Sequence, residues 1–330
     1  MNCADARNFL TSNGAARGLR KGMNPSRGIA LKLGSVAFFI SLQTMVKAVT
    51  VHVPVGEAVF FRSLFALPVI LGWLAYEGRL HSALRTKNPW GHISRGTIGV
   101  LAMTLSFAAL GYLPLPEVTA IFYAAPIITV ALAAIFLGEQ VRMVRIGAVL
   151  AGLAGVLVIL WPRLEGFGGT GEDDALRAFG AVLALVAACC MAVAKILVRK
   201  LVGIDPPSTV VIYASLTAVC LSALTMPFGW VWPTRWEFAL LLGAGLFGGV
   251  GQLMLTTAYT HADASTIAPF DYSSMLFALA FGYIFFSELP TLQTLLGAGV
   301  VVFAGLVIIW RESQLGRDRS KSRAVGPPGS

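Results

Sequence analysis

The sequence predicts an all-α polytopic membrane protein: ten transmembrane helices arranged as two inverted five-helix repeats. Three observations lead there. The composition is 56% hydrophobic and only 12% charged, with a mean hydropathy of +0.76, whereas soluble domains carry roughly 25% charged residues. The apolar residues fall in runs near the ~20 residues that a bilayer crossing needs. One of these runs, Tyr112–Glu139, has a faint echo at Ala258–Glu288. Laid without gaps so that Glu139 meets Glu288, Tyr123 meets Tyr272 and Ile135-Phe136 meet Ile284-Phe285. An internal repeat decides architecture before any local reading does.

Taken in order, residues 1–28 hold Arg7, Arg17, Arg20, Lys21 and Arg27 among Gly, Asn and Ser, and read as a disordered basic cytoplasmic tail. Ten spans follow, over 30–50, 56–76, 92–111, 117–137, 144–161, 179–199, 208–228, 237–257, 265–286 and 291–310. The first five make one repeat, 29–162. An external acidic loop, 163–178, carries Glu165, Glu172, Asp173 and Asp174 and leads into the second repeat, 179–310. Residues 311–330 are basic, end in Pro and Gly, and read as a second disordered cytoplasmic tail. The first apolar run contains Lys47 and reads as a retained helix, not a cleaved signal. All seven tryptophans (Trp73, Trp90, Trp161, Trp230, Trp232, Trp236 and Trp310) stand at span ends, where an interfacial aromatic belt lies.

Orientation follows from Lys and Arg. With the N-terminus inside, nineteen of them fall in inside segments, while only Arg163, Arg177 and Arg235 fall in outside loops. That bias places both termini in the cytoplasm of a cell inner membrane. Five spans per half is an odd number, so a repeated half must cross the bilayer in the opposite sense. Inverted repeats recur in secondary transporters, with the substrate near the midplane between the halves.

The fourth-span pattern Tyr112…Pro116-Glu117…Pro126…Phe136-Leu137-Gly138-Glu139, the second-span Phe61-Arg62-Ser63 and the late Phe285…Glu288 resemble the EamA-type members of the drug/metabolite transporter (DMT) superfamily. The resemblance covers about residues 29–310. It departs in the second half, where Met275 stands opposite Pro126 and Ser287 opposite Gly138. It implies a basket of ten helices around a central cavity, carrying small organic metabolites by alternating access. Members similar to this chain take amino acids and their derivatives, S-adenosylmethionine, riboflavin-like vitamins or drugs. The aromatic content leans the expectation toward a ring-bearing metabolite.

Polar groups inside a bilayer are expensive and mark function by default. Arg62 stands in span two beside Phe60 and Phe61, and either holds another helix or receives an anionic or carbonyl group of the substrate. Asp271 is the one carboxylate read as well within a span, a site for a coupling proton or other ion, or for a cationic group of the substrate. Gln43, Phe107, Phe122, Tyr123, Gln252, Tyr259, Phe270 and Tyr272 are candidate cavity-lining groups, since pockets combine apolar walls with a few placed polar groups. Pro126 and Pro269 interrupt helical hydrogen bonding mid-span and are candidate hinges. Gly243, Gly245, Gly248, Gly249 and Gly251 would let span eight flex. Glu117, Glu139 and Glu288 read as caps or tethers at helix ends. Lys47 and Lys195 read as snorkelling cations, and His52, His81, His92 and His261 as solvated, with His261 and Asp263 a weaker candidate relay.

Other classes fare worse. The net charge of +9 forms no nucleic-acid face, because the charges lie between apolar runs. An embedded enzyme would need H-E-x-x-H, G-x-S-x-G or an intramembrane His, and the sequence has none of them. Four cysteines show neither metal spacing nor a disulfide framework. No cofactor, metal or nucleotide drive is expected. The expected partners are a small-molecule metabolite, the lipid bilayer and a coupling ion. An assembly subunit without transport of its own remains open at this level.

Overall fold

The computed structural model describes residues 25–137, 143–165, 172–202, 204–262 and 264–324. Every regular element among them is helical. In chain order the helices are α1 (Pro25–Val49), α2 (Val55–Tyr76), α3 (Pro89–Tyr112), α4 (Leu115–Phe122), α5 (Ala124–Leu137), α6 (Met143–Glu165), α7 (Glu172–Val202), α8 (Pro207–Ala223), α9 (Arg235–His261), α10 (Ser274–Phe286) and α11 (Leu292–Ala324). Single turns of helix at Leu80–Ala83, Met226–Phe228 and Ala264–Ile267 lie between them, and a 3₁₀ segment, Ala268–Ser273, leads into α10.

Seven stretches are long and apolar enough to cross a membrane, including the broken α4–α5 run at Leu115–Ala133 and the 3₁₀–α10 run at Ala268–Phe286. Three shorter apolar stretches lie at Leu150–Trp161, Pro207–Ala223 and Leu292–Val307. Helix starts follow local chemistry. The Asn88 side chain accepts from Gly91 N at 3.0 Å, with Pro89 at the first helical position of α3. Thr234 and Glu237 form a reciprocal capping box at the start of α9.

Two ends differ from the sequence expectation. α1 starts at Pro25, within the expected tail, and α11 runs to Ala324, well into residues expected to be irregular. Helical hydrogen bonding is satisfied within the helix itself and is not confined to the hydrocarbon layer, so the end of an apolar run need not be the end of its helix. The acidic loop also shrinks, because α6 reaches Glu165 and α7 begins at Glu172. Gly138, Glu139 and Asp263 lie outside the described residues, and with them the Gly-Glu ending and the histidine relay.

The helices pack as interlocking pairs. α1 lies against α9, α3 against α7, and α6 against α11; α2 packs on both α8 and α9, and α8 on α3. The main apolar core runs through Ile40, Val46, Leu110, Leu115, Ile121 and Val301. Glycines let backbones approach. A Cβ at Gly155 would come 2.9 Å from Gly297 O, and one at Gly297 would come 2.7 Å from Gly155 O, so these two residues are where α6 and α11 cross. Gly147 meets nothing, and Gly305 instead accommodates the Tyr272 ring. The glycines of α9 act the same way. A Cβ at Gly245 would overlap Phe65 and lie 3.0 Å from Arg62 O, and one at Gly249 would lie 2.8 Å from Val69 Cβ. Gly243 and Gly251 face Met45 and Phe38 of α1 instead, so close packing on α1 and α2 together accounts for the set, where the sequence suggested a flexible helix.

Asp205 ties two loops at one end. It accepts from Thr86 Oγ1 at 2.6 Å and from Lys87 N at 3.3 Å, and His92 Nε2 lies 2.9 Å from its Oδ2. His92 is therefore fully buried, not solvated, because its ring finds a carboxylate inside the fold. The Thr86 and His92 hydrogen bonds hold the Asp205 carboxyl below its usual value. A depressed folded value contributes stability that is present above the unfolded value of about 3.9 and is lost as pH falls through the folded one. Asp205→Asn should lower the melting temperature in detergent at pH 7, and the deficit should shrink as the pH is taken below that range.

Ser287 closes α10 in the left-handed region, at φ 55°. Its N–H bonds Tyr283 O at 3.0 Å, and Glu288 N bonds Gly282 O at 3.0 Å. A residue with a Cβ is strained there, and glycine is the common solution. Ser287→Gly should stabilise the protein by about 0.5–1 kcal/mol, read as a rise in melting temperature with no change in activity.

Candidate functional site

The broken fourth crossing sets the geometry of the centre. Proline at position 126 clashes with the carbonyl four residues earlier, that of Phe122, and α4 ends at Phe122. Tyr123 is the link, and its ring lies 5.1 Å from that of Tyr272. The Tyr123 hydroxyl donates to Tyr272 O at 3.1 Å and lies 2.8 Å from Ser274 Oγ. Pro269 sits in the 3₁₀ segment before α10, at a helix entry and not mid-helix. The two interrupted crossings therefore touch at their breaks, and freed backbone groups find partners there.

Beside this point a cavity of about 360 Å³ opens between α1, α2, α3, α4 and α7. Its walls include Phe39, Gln43, Ser106, Phe107, Phe122 and Met191, with Arg62, Arg95 and Lys195 as its cations. A second cavity, about 190 Å³, lies between α2, α3, α8 and α9 and contains Gln252. Arg62, Arg95, Gly99 and Met103 line both, so the two adjoin across the arginines. Either volume is at or below the lower end of the usual range for small-molecule sites.

Arg62 projects from α2, where Nη1 donates to Met103 Sδ at 3.3 Å, a weak acceptor. Its Nε is buried without a partner, as is the Nε of Arg95. A Cβ on Gly248 would stand 3.1 Å from Arg62 Nη2, so that glycine is the space the guanidinium occupies. Gly99, one turn after Arg95 on α3, is not required in this way, since a Cβ there would make only an ordinary 3.7 Å contact with Arg95 Nη1. Glu57 does not serve Arg62: it accepts from Val231 N at 3.0 Å. An unneutralised cation at a helix centre costs roughly 2.5–3.5 kcal/mol on insertion scales, so a cavity is where such groups belong.

The sequence-derived candidates divide. Arg62, Gln43, Phe107 and Phe122 meet at the first cavity, and Gln252 and Arg62 at the second. Tyr123 and Tyr272 stand at the crossing of the broken helices and line neither. Tyr259 is 50% exposed. Phe270 lies with Asp271 in the 3₁₀ segment, not deep within an α-helix. Asp271 pairs with Lys32 of α1 at 2.5 Å.

The lysines depart most from expectation. Lys47 does not snorkel. Its Nζ donates to Leu113 O at 2.6 Å and Leu110 O at 3.0 Å, pairs with Glu288 at 2.9 Å, and stands 5.5 Å over the Phe286 ring. Lys195 lines the cavity, because α7 runs on to Val202 and puts it about two turns from the helix end. Arg95 and Lys195 are the residues the sequence reading missed. The place of Arg95 inside the apolar run 92–111 was the available signal for the first.

The comparisons with known proteins agree with this architecture. The EamA-like transporter family matches twice, over residues 26–161 and 178–311. The chain is similar to a riboflavin transporter of Rhizobium johnstonii, at 29% identity over 88% of this chain and 94% of that one. It is similar to an S-adenosylmethionine uptake transporter of Rickettsia bellii, at 29% over 78% and 84%. A pseudopaline exporter of Pseudomonas aeruginosa is 27% identical over 85% and 95%. A solved crystal structure shares the fold, with a TM-score of 0.62 at 20% identity over 88% of this chain and 99% of that one. Two matches that together span most of the chain settle the family: the protein belongs to the EamA-like transporter family, within the drug/metabolite transporter superfamily.

Proposed function

We propose that this protein is a secondary transporter that moves a small organic metabolite across the cell membrane by alternating access, with the cavity between α1, α2, α3, α4 and α7 as its substrate site. One observation carries the reading. Helices from both matched repeats meet around a single apolar-walled cavity set with Arg62, Arg95, Lys195 and Gln43. Substrate sites between repeats are the common plan of secondary transporters. The relatives named for riboflavin, S-adenosylmethionine and pseudopaline support a small, polar, partly cyclic solute.

In this reading the seven long apolar stretches and the three shorter ones make ten crossings, in two inverted repeats. The helix pairing supports it. Exchanging the halves turns the α1–α9 pair into α7–α3, and α2–α9 into α8–α3, while α2–α8 and α6–α11 map onto themselves. Tyr123 and Tyr272, counterparts in the sequence echo, touch each other, as equivalent residues on a two-fold axis do. The bias of Lys and Arg, still seventeen to three once Lys32 and Arg95 are taken from the nineteen as groups within the bundle, supports cytoplasmic termini in an inner membrane. Asp271, paired with Lys32, is the group on which a coupling proton or other ion would compete with the ammonium.

The test is flux into proteoliposomes under an imposed pH gradient, with labelled riboflavin and S-adenosylmethionine as first substrates and a wider metabolite panel behind them. Saturable uptake absent from empty liposomes is expected. Asp271→Asn should lose uphill accumulation and keep part of the exchange activity. Folded protein that moves no member of the panel would contradict transport, and undiminished accumulation by the Asp271 variant would remove its coupling role.

A further inference from the structure

The intramembrane cations fall into two groups. Lys32 and Lys47 are each paired with a carboxylate, Asp271 and Glu288, at 2.5 and 2.9 Å. Arg62, Arg95 and Lys195 have no ion pair among the described residues, and all three line one cavity. Among the described residues, no Asp or Glu lines that cavity or its neighbour. The carboxylates that might have served are engaged: Glu57 accepts from Val231 N, and Asp205 holds Thr86 and His92. Lys195 lies in the field of Asp271, but forms no bond to it.

This arrangement is not explained by helix packing. Charged groups held within a membrane fold pair with one another or with backbone carbonyls, as Lys32 and Lys47 do. The two guanidinium Nε atoms are buried and unpartnered, and a planar fork of that kind matches carboxylate or phosphate oxygens. Gln43 Oε1, also buried and unpartnered, faces the same cavity. Phe39, Phe107 and Phe122 supply flat apolar wall. The vacant hydrogen-bonding capacity is thus three cations and one acceptor beside an aromatic surface.

We propose that the cavity takes a small organic anion bearing two negative groups, carboxylate or phosphate, on a flat ring-bearing body. The anionic groups meet Arg62, Arg95 and Lys195, and a donor on the body meets Gln43. The inference rests on the transport reading for its biological meaning, but binding tests it separately.

The experiment uses the full chain in nanodiscs and measures binding by calorimetry and thermal shift. The probes are naphthalene-2,6-dicarboxylate and 1,4-phenylene bisphosphate, the neutral naphthalene dicarboxamide, and the corresponding diamidine. The dicarboxylate should bind at least roughly tenfold more tightly than the dicarboxamide, and the diamidine should not bind. Arg95→Gln should erase most of that preference, weakening the dicarboxylate far more than the dicarboxamide. If Arg95→Gln does not fold, the wild-type ranking of the probes still decides. Equal or tighter binding of the neutral or cationic probe overturns the inference, as does failure of both anions. So does full stabilisation by chloride alone, with nothing added by the dicarboxylate. The two readings fail separately. Anions that bind but are not carried in proteoliposomes would refute transport and leave the anion site standing. Saturable riboflavin flux that neither anion inhibits would leave transport standing and refute the anion site.

Discussion

In hydrocarbon every backbone donor and acceptor must be satisfied by the protein itself, and this chain breaks its helices where that is hardest. The α4–α5 run parts at Tyr123, and the run that ends in α10 begins as 3₁₀ helix. At the Tyr123 break the Tyr123 hydroxyl bonds Tyr272 O, and at the turn between α3 and α4, where two helix ends leave backbone groups unpaired, charged side chains from elsewhere in the chain take them up. Lys47 of α1 holds the last carbonyls of α3, Leu110 and Leu113, while Glu288 takes Leu115 N at the start of α4. Because Lys47 and Glu288 also pair with each other, one clasp joins α1, α3, α4 and the end of α10. The opposite end of α1 is held by Lys32 and Asp271. These fixed ends leave the middle of the bundle free to be hollow.

The hollow depends on small residues as much as on large ones. Gly245, Gly248 and Gly249 bring α9 against α2, and Gly248 leaves the volume into which Arg62 extends. Gly96 performs the same service between α3 and α8, where a Cβ would meet the Thr217 side chain at 2.7 Å. Close approach at these points, beside the proline-broken helix, leaves the space into which the three cations project. Stability and function therefore draw on the same residues: a larger side chain at Gly248 would disturb packing and guanidinium together.

Much of this was legible before any coordinates. Apolar run length sets where a helix can cross, so an all-helical fold with long apolar stretches at the expected places follows from the sequence pattern. Arg62, Gln43, Phe107 and Phe122 were found because polar and aromatic groups within an apolar run are costly and stand out. What escaped detection was partnership across helices. Lys47 and Lys195 sit at similar depths from a nominal span end, yet one finds Glu288 and two carbonyls while the other faces a cavity. Nothing local in the chain separates them, because the difference lies in residues more than sixty positions away. His92 was misread for the same reason, its partner Asp205 being 113 residues distant. The ends of α1 and α11 ran past their apolar runs because hydropathy reports the bilayer and not the helix.

The central claim is that the cavity lined by Arg62, Arg95 and Lys195 is reached alternately from the two faces of the membrane. Ser106 lines it and is 9% exposed. A single cysteine at that position, in a chain whose native cysteines are replaced by serine, can be probed with a membrane-impermeant thiol reagent from each face in turn. The account predicts modification from both sides, with the two rates moving in opposite directions when a transported solute is supplied on one side. Modification from one face alone under every condition, or from neither, would contradict it.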